Sequence, residues 1–144
     1  MLYFIVRLVR FLFELRKGDG VFNINKVSYV PIYEQIISEF ERYVMAGLLN
    51  SDDKLPSVRA LSMDLSVNPN TIQKAYAELE RQSLCYSVPG SGRFVAPKAA
   101  ELIRERKRGL LDEIRKLARE LKASGVSEGE IISAIAEAYA DGNE

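Results

Sequence analysis

Asn68, Asn70, Gln73 and Lys74 fall within seven consecutive residues, "NPNTIQK". Asparagine and glutamine carry a donor beside an acceptor, so each can pair bidentately with the edge of adenine. A lysine reaches guanine or a phosphate. This is the chemistry of recognition rather than of bond breaking. The rest of the 144-residue chain points the same way. It contains no histidine and one cysteine, which removes His-dependent triads and almost every zinc site. It shows no phosphate loop and no paired carboxylates in a plausible pocket. The pair Asp52-Asp53 reads as a solvated turn. No catalytic residue, metal or cofactor is therefore assigned. Cys85, between Leu84 and Tyr86 in an apolar run, reads as a small core residue. A lone cysteine forms no internal disulfide, so a reducing cytoplasm is the expected compartment.

The polar residues need a helix to present them. Ile72, Ala75, Tyr76 and Leu79 recur at i, i+3, i+4 and i+7 and define a buried face. Asn70, Lys74, Ala77 and Arg81 then lie opposite, with Gln73 on the flank. Asn68 suits the N-cap, and Pro69 suits the first helical position, where its missing N–H costs nothing. The expected recognition helix spans about 68–82, and its N-terminus favours anions.

A shorter helix precedes it. "LPSVRALSMDLS" opens on Pro56 and Ser57, with Leu61 and Leu65 as its apolar stripe. The link "LSVN" is so short that the two helices form a helix-turn-helix, in which the second enters the DNA major groove. Ser57 and Arg59 are then placed as phosphate ligands. "LCYSVPGSGRFVAP" reads as two strands joined through Pro89-Gly90-Ser91-Gly92, a wing over about 84–96. Gly90 and Gly92 allow close approach to the duplex, and Ser91 and Arg93 offer polar contacts. Upstream, Ile32, Ile36, Ile37, Phe40, Val44 and Met45 mark a further helix between Pro31 and Gly47.

The tail is helical and charged. Ile103, Leu110, Leu111, Ile114, Leu117, Ala118 and Leu121 form a stripe at helical spacing. Gly125 ends that helix, and Ser127-Glu128-Gly129-Glu130 reads as the capping box of a last one. The stripe suits a second copy of the chain, with packing onto the chain's own wing domain as the alternative. The expected fold is mainly α with a small β-wing: a winged helix-turn-helix over 21–97, then a short two-helix dimerisation segment over 98–144. The dimer contacts would be Ile103, Leu110, Leu111, Ile114, Leu117 and Leu121. Twenty Lys/Arg balance twenty Asp/Glu, so no global basic field draws the chain to DNA. Residues 21–97 carry seven basic and eight acidic side chains. Pairing two half-sites of an inverted repeat would compensate for that weak field.

Residues 31–96 resemble the winged-helix domain of GntR-type bacterial transcription regulators. The resemblance rests on Leu55-Pro56-Ser57 with Arg59, on Val67, Thr71 and Ile72, and on Gly90, Gly92, Phe94 and Val95. It implies DNA contacts from Arg59, Asn68, Asn70, Thr71, Gln73 and Lys74, and from Gly90 to Arg93 in the wing. Ser66 stands where the family often has glycine, Pro69 where arginine is common, and Arg93 where threonine is usual. The short tail, "VPIYEQI" and "GVSEGEIISAIAEAY" resemble the YtrA-like subfamily. That implies a dimeric repressor of its own operon and of an ABC-transporter operon. A small effector is left open, since no residue identifies one. The competing function is a winged helix used for protein–protein contact, without salt-dependent DNA affinity.

Residues 1–20, "MLYFIVRLVRFLFELRKGDG", form an apolar extension. Arg7 and Arg10 interrupt it as a membrane span, and it lacks a signal-peptide cleavage site. Two readings remain: an over-extended gene start, since Val21 can be encoded by an alternative start codon, and an amphipathic helix on a partner or membrane surface.

Overall fold

The structure is a computed structural model that describes residues 22–141; both readings of residues 1–20 fall outside it. Five helices and one hairpin are present among the described residues: α1 (Ile32–Met45), α2 (Val58–Leu65), α3 (Pro69–Arg81), β1 (Cys85–Val88), β2 (Gly92–Val95), α4 (Ala99–Ala123) and α5 (Glu128–Asp141). They divide into two compact units, with the break between Ile103 and Arg104.

In the first unit, α1 buries Ile36, Phe40 and Val44, three of the residues expected inside; Met45 stays exposed. Pro31 stands one position before the helix, in extended conformation, and its carbonyl accepts from the N–H groups of Glu34 and Gln35. Gly47 has a positive φ of 69° and ends α1 in a tight turn. α2 begins at the Ser57 cap, whose Oγ accepts from the Ala60 N–H at 3.1 Å. It ends at Ser66, which is left-handed with φ 49° and ψ 50°. Leu65 and Val67 turn inward on either side of it. α3 buries Ile72, Ala75, Tyr76 and Leu79, the four residues expected from periodicity.

The wing is an antiparallel hairpin. Cys85 pairs with Val95, Tyr86 with Phe94, Ser87 with Arg93 and Val88 with Gly92. Residues 52–55 add to it as a third edge. The Asp52 N–H donates to Val95 O, the Val95 N–H to Asp53 O and the Leu55 N–H to Arg93 O, each at 2.9 Å. Asp52 and Asp53 thus do more than a solvated turn would. Asp52 Oδ1 accepts from the Tyr86 hydroxyl at 2.8 Å, and Asp53 Oδ2 from the Asn50 N–H at 2.7 Å. The first turn of α4 completes this core with Ala99 and Ile103.

In the second unit, α4 ends at Gly125, whose φ is 88°. The N–H of Val126 returns to Leu121 O there, at 3.1 Å. The capping box of α5 is present. The Ser127 N–H donates to Glu130 Oε2 at 3.0 Å, and the Glu130 N–H donates to Ser127 Oγ at 3.3 Å. Leu110, Leu111, Ile114, Leu117 and Leu121 are 42–57% exposed, and on α5 Ile132 and Tyr139 are 58% and 81% exposed. Ile103 departs from the expected dimer stripe. It is fully buried in the core of the first unit, so it offers nothing to a second chain. Helical spacing placed it on the same stripe but could not show that the helix starts inside the core.

Candidate nucleic-acid interface

The entry to α3 is built by local capping. Asn68 leaves the turn with φ −56° and ψ 132°, and its Oδ1 accepts from the Asn70 N–H at 2.8 Å. Its carbonyl accepts from the Thr71 N–H at 2.9 Å. Pro69 occupies the first helical turn, where no intrahelical donor is lost. The turn before it is tied by the Ser62 hydroxyl, which donates to Val67 O at 2.7 Å. Lys26 ties it from outside, donating to Ser66 O at 3.1 Å. Asn68, Asn70, Gln73 and Lys74 are all exposed at this end of α3, and Thr71 is half-buried.

The buried side of α3 locks it to its neighbours. The Tyr76 hydroxyl donates to Pro56 O at 2.8 Å, joining α3 to the start of α2. Burial holds that phenol far above its ordinary pKa. Cys85 is a core thiol, as expected. Burial first, and then the charge of Glu80, push it up to about 11, away from nucleophilic use. Near the other end, Arg81 grips Glu78 through Nε and Nη2 at 2.8 and 2.6 Å. Together with Gln82, it holds that carboxyl down at about 2. The N-terminal half of α3 carries the exposed polar side chains Asn70, Gln73 and Lys74.

The other predicted residues divide into two groups. Ser57 and Arg59 flank the start of α2, and Ser57 still has a hydroxyl hydrogen to donate while its oxygen caps the helix. Gly90, Ser91 and Gly92 are exposed at the wing tip, where the Ser91 N–H returns to Val88 O. Arg93 does not reach out from that tip. It pairs across the hairpin with Ser87 on the side facing α3, and only 20% of its side chain is exposed. Its Nε lies 3.7 Å from Glu80 Oε2 and its guanidinium 5.2 Å from the Tyr76 ring. Arg93 links the wing to α3 as a loose clamp, through an ion pair and a ring contact, and its buried Nε makes no hydrogen bond among the described residues.

Sequence reading missed Lys54. The edge strand at 52–55 carries it over the wing, where a Cβ added to Gly92 would lie 3.0 Å from Lys54 Cε. Gly92 also has φ 127°, so conformation favours glycine there, while the flexible Lys54 chain can move aside for a Cβ. Lys54, Ser57, Tyr76, Ser91 and Arg93 line an open cleft of about 580 Å³ between the wing and α2. Only its position next to Leu55-Pro56-Ser57 could have drawn attention to Lys54, since its contact depends on the pairing of 52–55 with β2.

A helix-turn-helix followed by a glycine-tipped hairpin has matching relatives. The model of bacterial regulatory proteins of the gntR family matches residues 32–95. Over 86 residues the chain is 40% identical to the HTH-type transcriptional repressor YtrA of Bacillus subtilis, covering 60% of this chain and 66% of YtrA. Over 118 residues it is 38% identical to the uncharacterized HTH-type regulator YhcF of the same organism, covering 81% of this chain and 93% of YhcF. The chain belongs to the GntR family. It is a DNA-binding transcriptional regulator of the YtrA-like kind and not an enzyme. The fold agrees. A transcriptional regulator from Oenococcus oeni superposes with a TM-score of 0.63 at 30% identity, over 81% of this GntR chain and 97% of that one. A GntR family regulator from Listeria monocytogenes gives 0.62 at 33% identity, over 76% and 96%. Among the described residues, no helix is long and apolar enough to cross a membrane.

Proposed function

We propose that this GntR regulator is a dimeric, cytoplasmic repressor that binds an inverted-repeat operator. In each copy the winged helix of 21–97 takes one half-site, and the helices of 98–144 join the copies. Asn70, Gln73 and Lys74 enter the major groove, with Asn68 and Thr71 at its mouth. Ser57, Arg59 and the wing tip from Gly90 to Gly92 hold the backbone. The exposed, capped N-terminal end of α3 carries this reading. Dimerisation is supported by the stripe Leu110, Leu111, Ile114, Leu117 and Leu121, which stands open to solvent. Burying each such side chain contributes roughly 1.5–3 kcal/mol. YtrA is a repressor, and YtrA-like regulators resemble this chain in their short tail. On that likeness the targets are its own operon and an ABC-transporter operon.

Footprinting upstream of its own gene tests the reading. A protected inverted repeat is expected, with Arg59→Ala and Lys74→Ala each weakening protection. Undiminished protection by both variants counts against the assigned surface. Affinity that does not change with salt would point instead to a winged helix that serves protein–protein contact.

A further inference from the structure

Lys74 does not stand free on the face of α3. Its Nζ lies 3.6 Å from the centroid of the Tyr33 ring, on the second residue of α1. The Tyr33 hydroxyl donates to Glu34 Oε1 at 2.8 Å, and the half-buried ring packs against the core of the first unit. The ring is thus fixed from two sides. Around it runs an open groove of about 650 Å³ between α1 and α3, lined by Tyr33, Glu34, Ile37, Lys74, Glu78 and Arg81. An ammonium over a tyrosine face is attracted by the ring quadrupole.

Helix geometry gives this contact a direction. At about 100° per residue, Lys74 stands roughly 40° to one side of Asn70 and Gln73 about 60° to the other. Asn70 and Lys74 therefore lie nearest the middle of the open front of α3 and Gln73 on its flank, and it is the Tyr33 ring that draws the Lys74 ammonium off that front toward α1. When a helix lies in a major groove its front meets base edges and its flanks meet the groove walls, which are phosphates. We propose that Tyr33 is a positioning residue for DNA binding. Its ring holds Lys74 on the α1 flank, where the ammonium neutralises a backbone phosphate and reads no base. The inference rests on the DNA-facing role of α3 and assigns a new part to a residue of α1.

The test measures affinity and its salt dependence for the duplex that the full chain selects from a randomised pool, and for a scrambled duplex. Lys74→Ala is expected to weaken both alike and to reduce the slope of log K against log salt by about 0.9. Tyr33→Leu keeps apolar bulk but removes the π face, and is expected to weaken both duplexes about two- to fivefold. Tyr33→Phe keeps the face and is expected to bind like the wild type. In the Lys74→Ala background, Tyr33→Leu is expected to change nothing further, and thermal unfolding followed in parallel reports any loss of fold. Equal weakening by Tyr33→Leu with and without Lys74 overturns the proposal. So does a Lys74→Ala protein that loses discrimination between the duplexes while keeping its salt slope. A wild-type chain that binds neither duplex removes the DNA-facing role of α3, and this proposal with it.

Discussion

Asn68, Pro69 and Asn70 could be read as a break in a helix or as its beginning. The cap geometry decides: the Asn68 side chain satisfies the Asn70 N–H, and the proline sits where it costs no hydrogen bond. Asn68→Ala is expected to lower stability by about 1 kcal/mol in urea unfolding, and a change near zero would remove the cap from the account. Ser66 has the opposite character. It holds a left-handed conformation that suits glycine, which is the residue common at this point in GntR regulators. Ser66→Gly is expected to raise stability by about 1 kcal/mol. The stabilising bond from Lys26 goes to the backbone carbonyl and survives the change. A lower unfolding midpoint would show that the serine hydroxyl has a use not visible in its contacts. The Asn68 cap was legible in sequence because capping preferences are local, whereas the left-handed φ of Ser66 came only with the structure. Arg93 was not legible either. Its position after Gly92 suggested a wing tip, and only the hairpin register shows that it faces α3.

The elements show where periodicity suffices and where it fails. The buried face of α3 follows from spacing alone, since one helix face packs on one core. The edge strand at 52–55 has no such signal, because four residues with two aspartates look like a turn until β2 pairs with them. Ile103 failed for a related reason: helical spacing is blind to where a helix leaves a core. The Glu80–Arg93 contact joins two elements whose relation matters for reading DNA. A double-mutant cycle of Glu80→Ala and Arg93→Ala is expected to give a coupling of about 0.5 kcal/mol in stability, as suits a partly exposed pair. It should also show a larger loss of operator affinity in Arg93→Ala than in a Ser91→Ala control. Additive energies together with an unchanged affinity would deny the clamp.

At the scale of the molecule, the described residues leave a leucine-rich face on α4 without cover and a recognition surface with little net charge behind it. In the proposed dimer a second copy would resolve both, by burying the stripe and by doubling the contacts to DNA. Leu111→Asp with Leu117→Asp is expected to shift sedimentation from dimer to monomer and to weaken operator binding at least tenfold, while the winged helix stays folded by circular dichroism. A variant that remains dimeric would place the interface elsewhere. The central claim is that Asn70 and Gln73 at the start of α3 read bases. Selecting duplexes from a randomised pool with the full chain tests it most directly. Two inverted half-sites are expected, each with A·T pairs that do not tolerate replacement opposite the start of α3, because asparagine and glutamine pair with adenine. Equal recovery of all four bases at those positions would contradict the account.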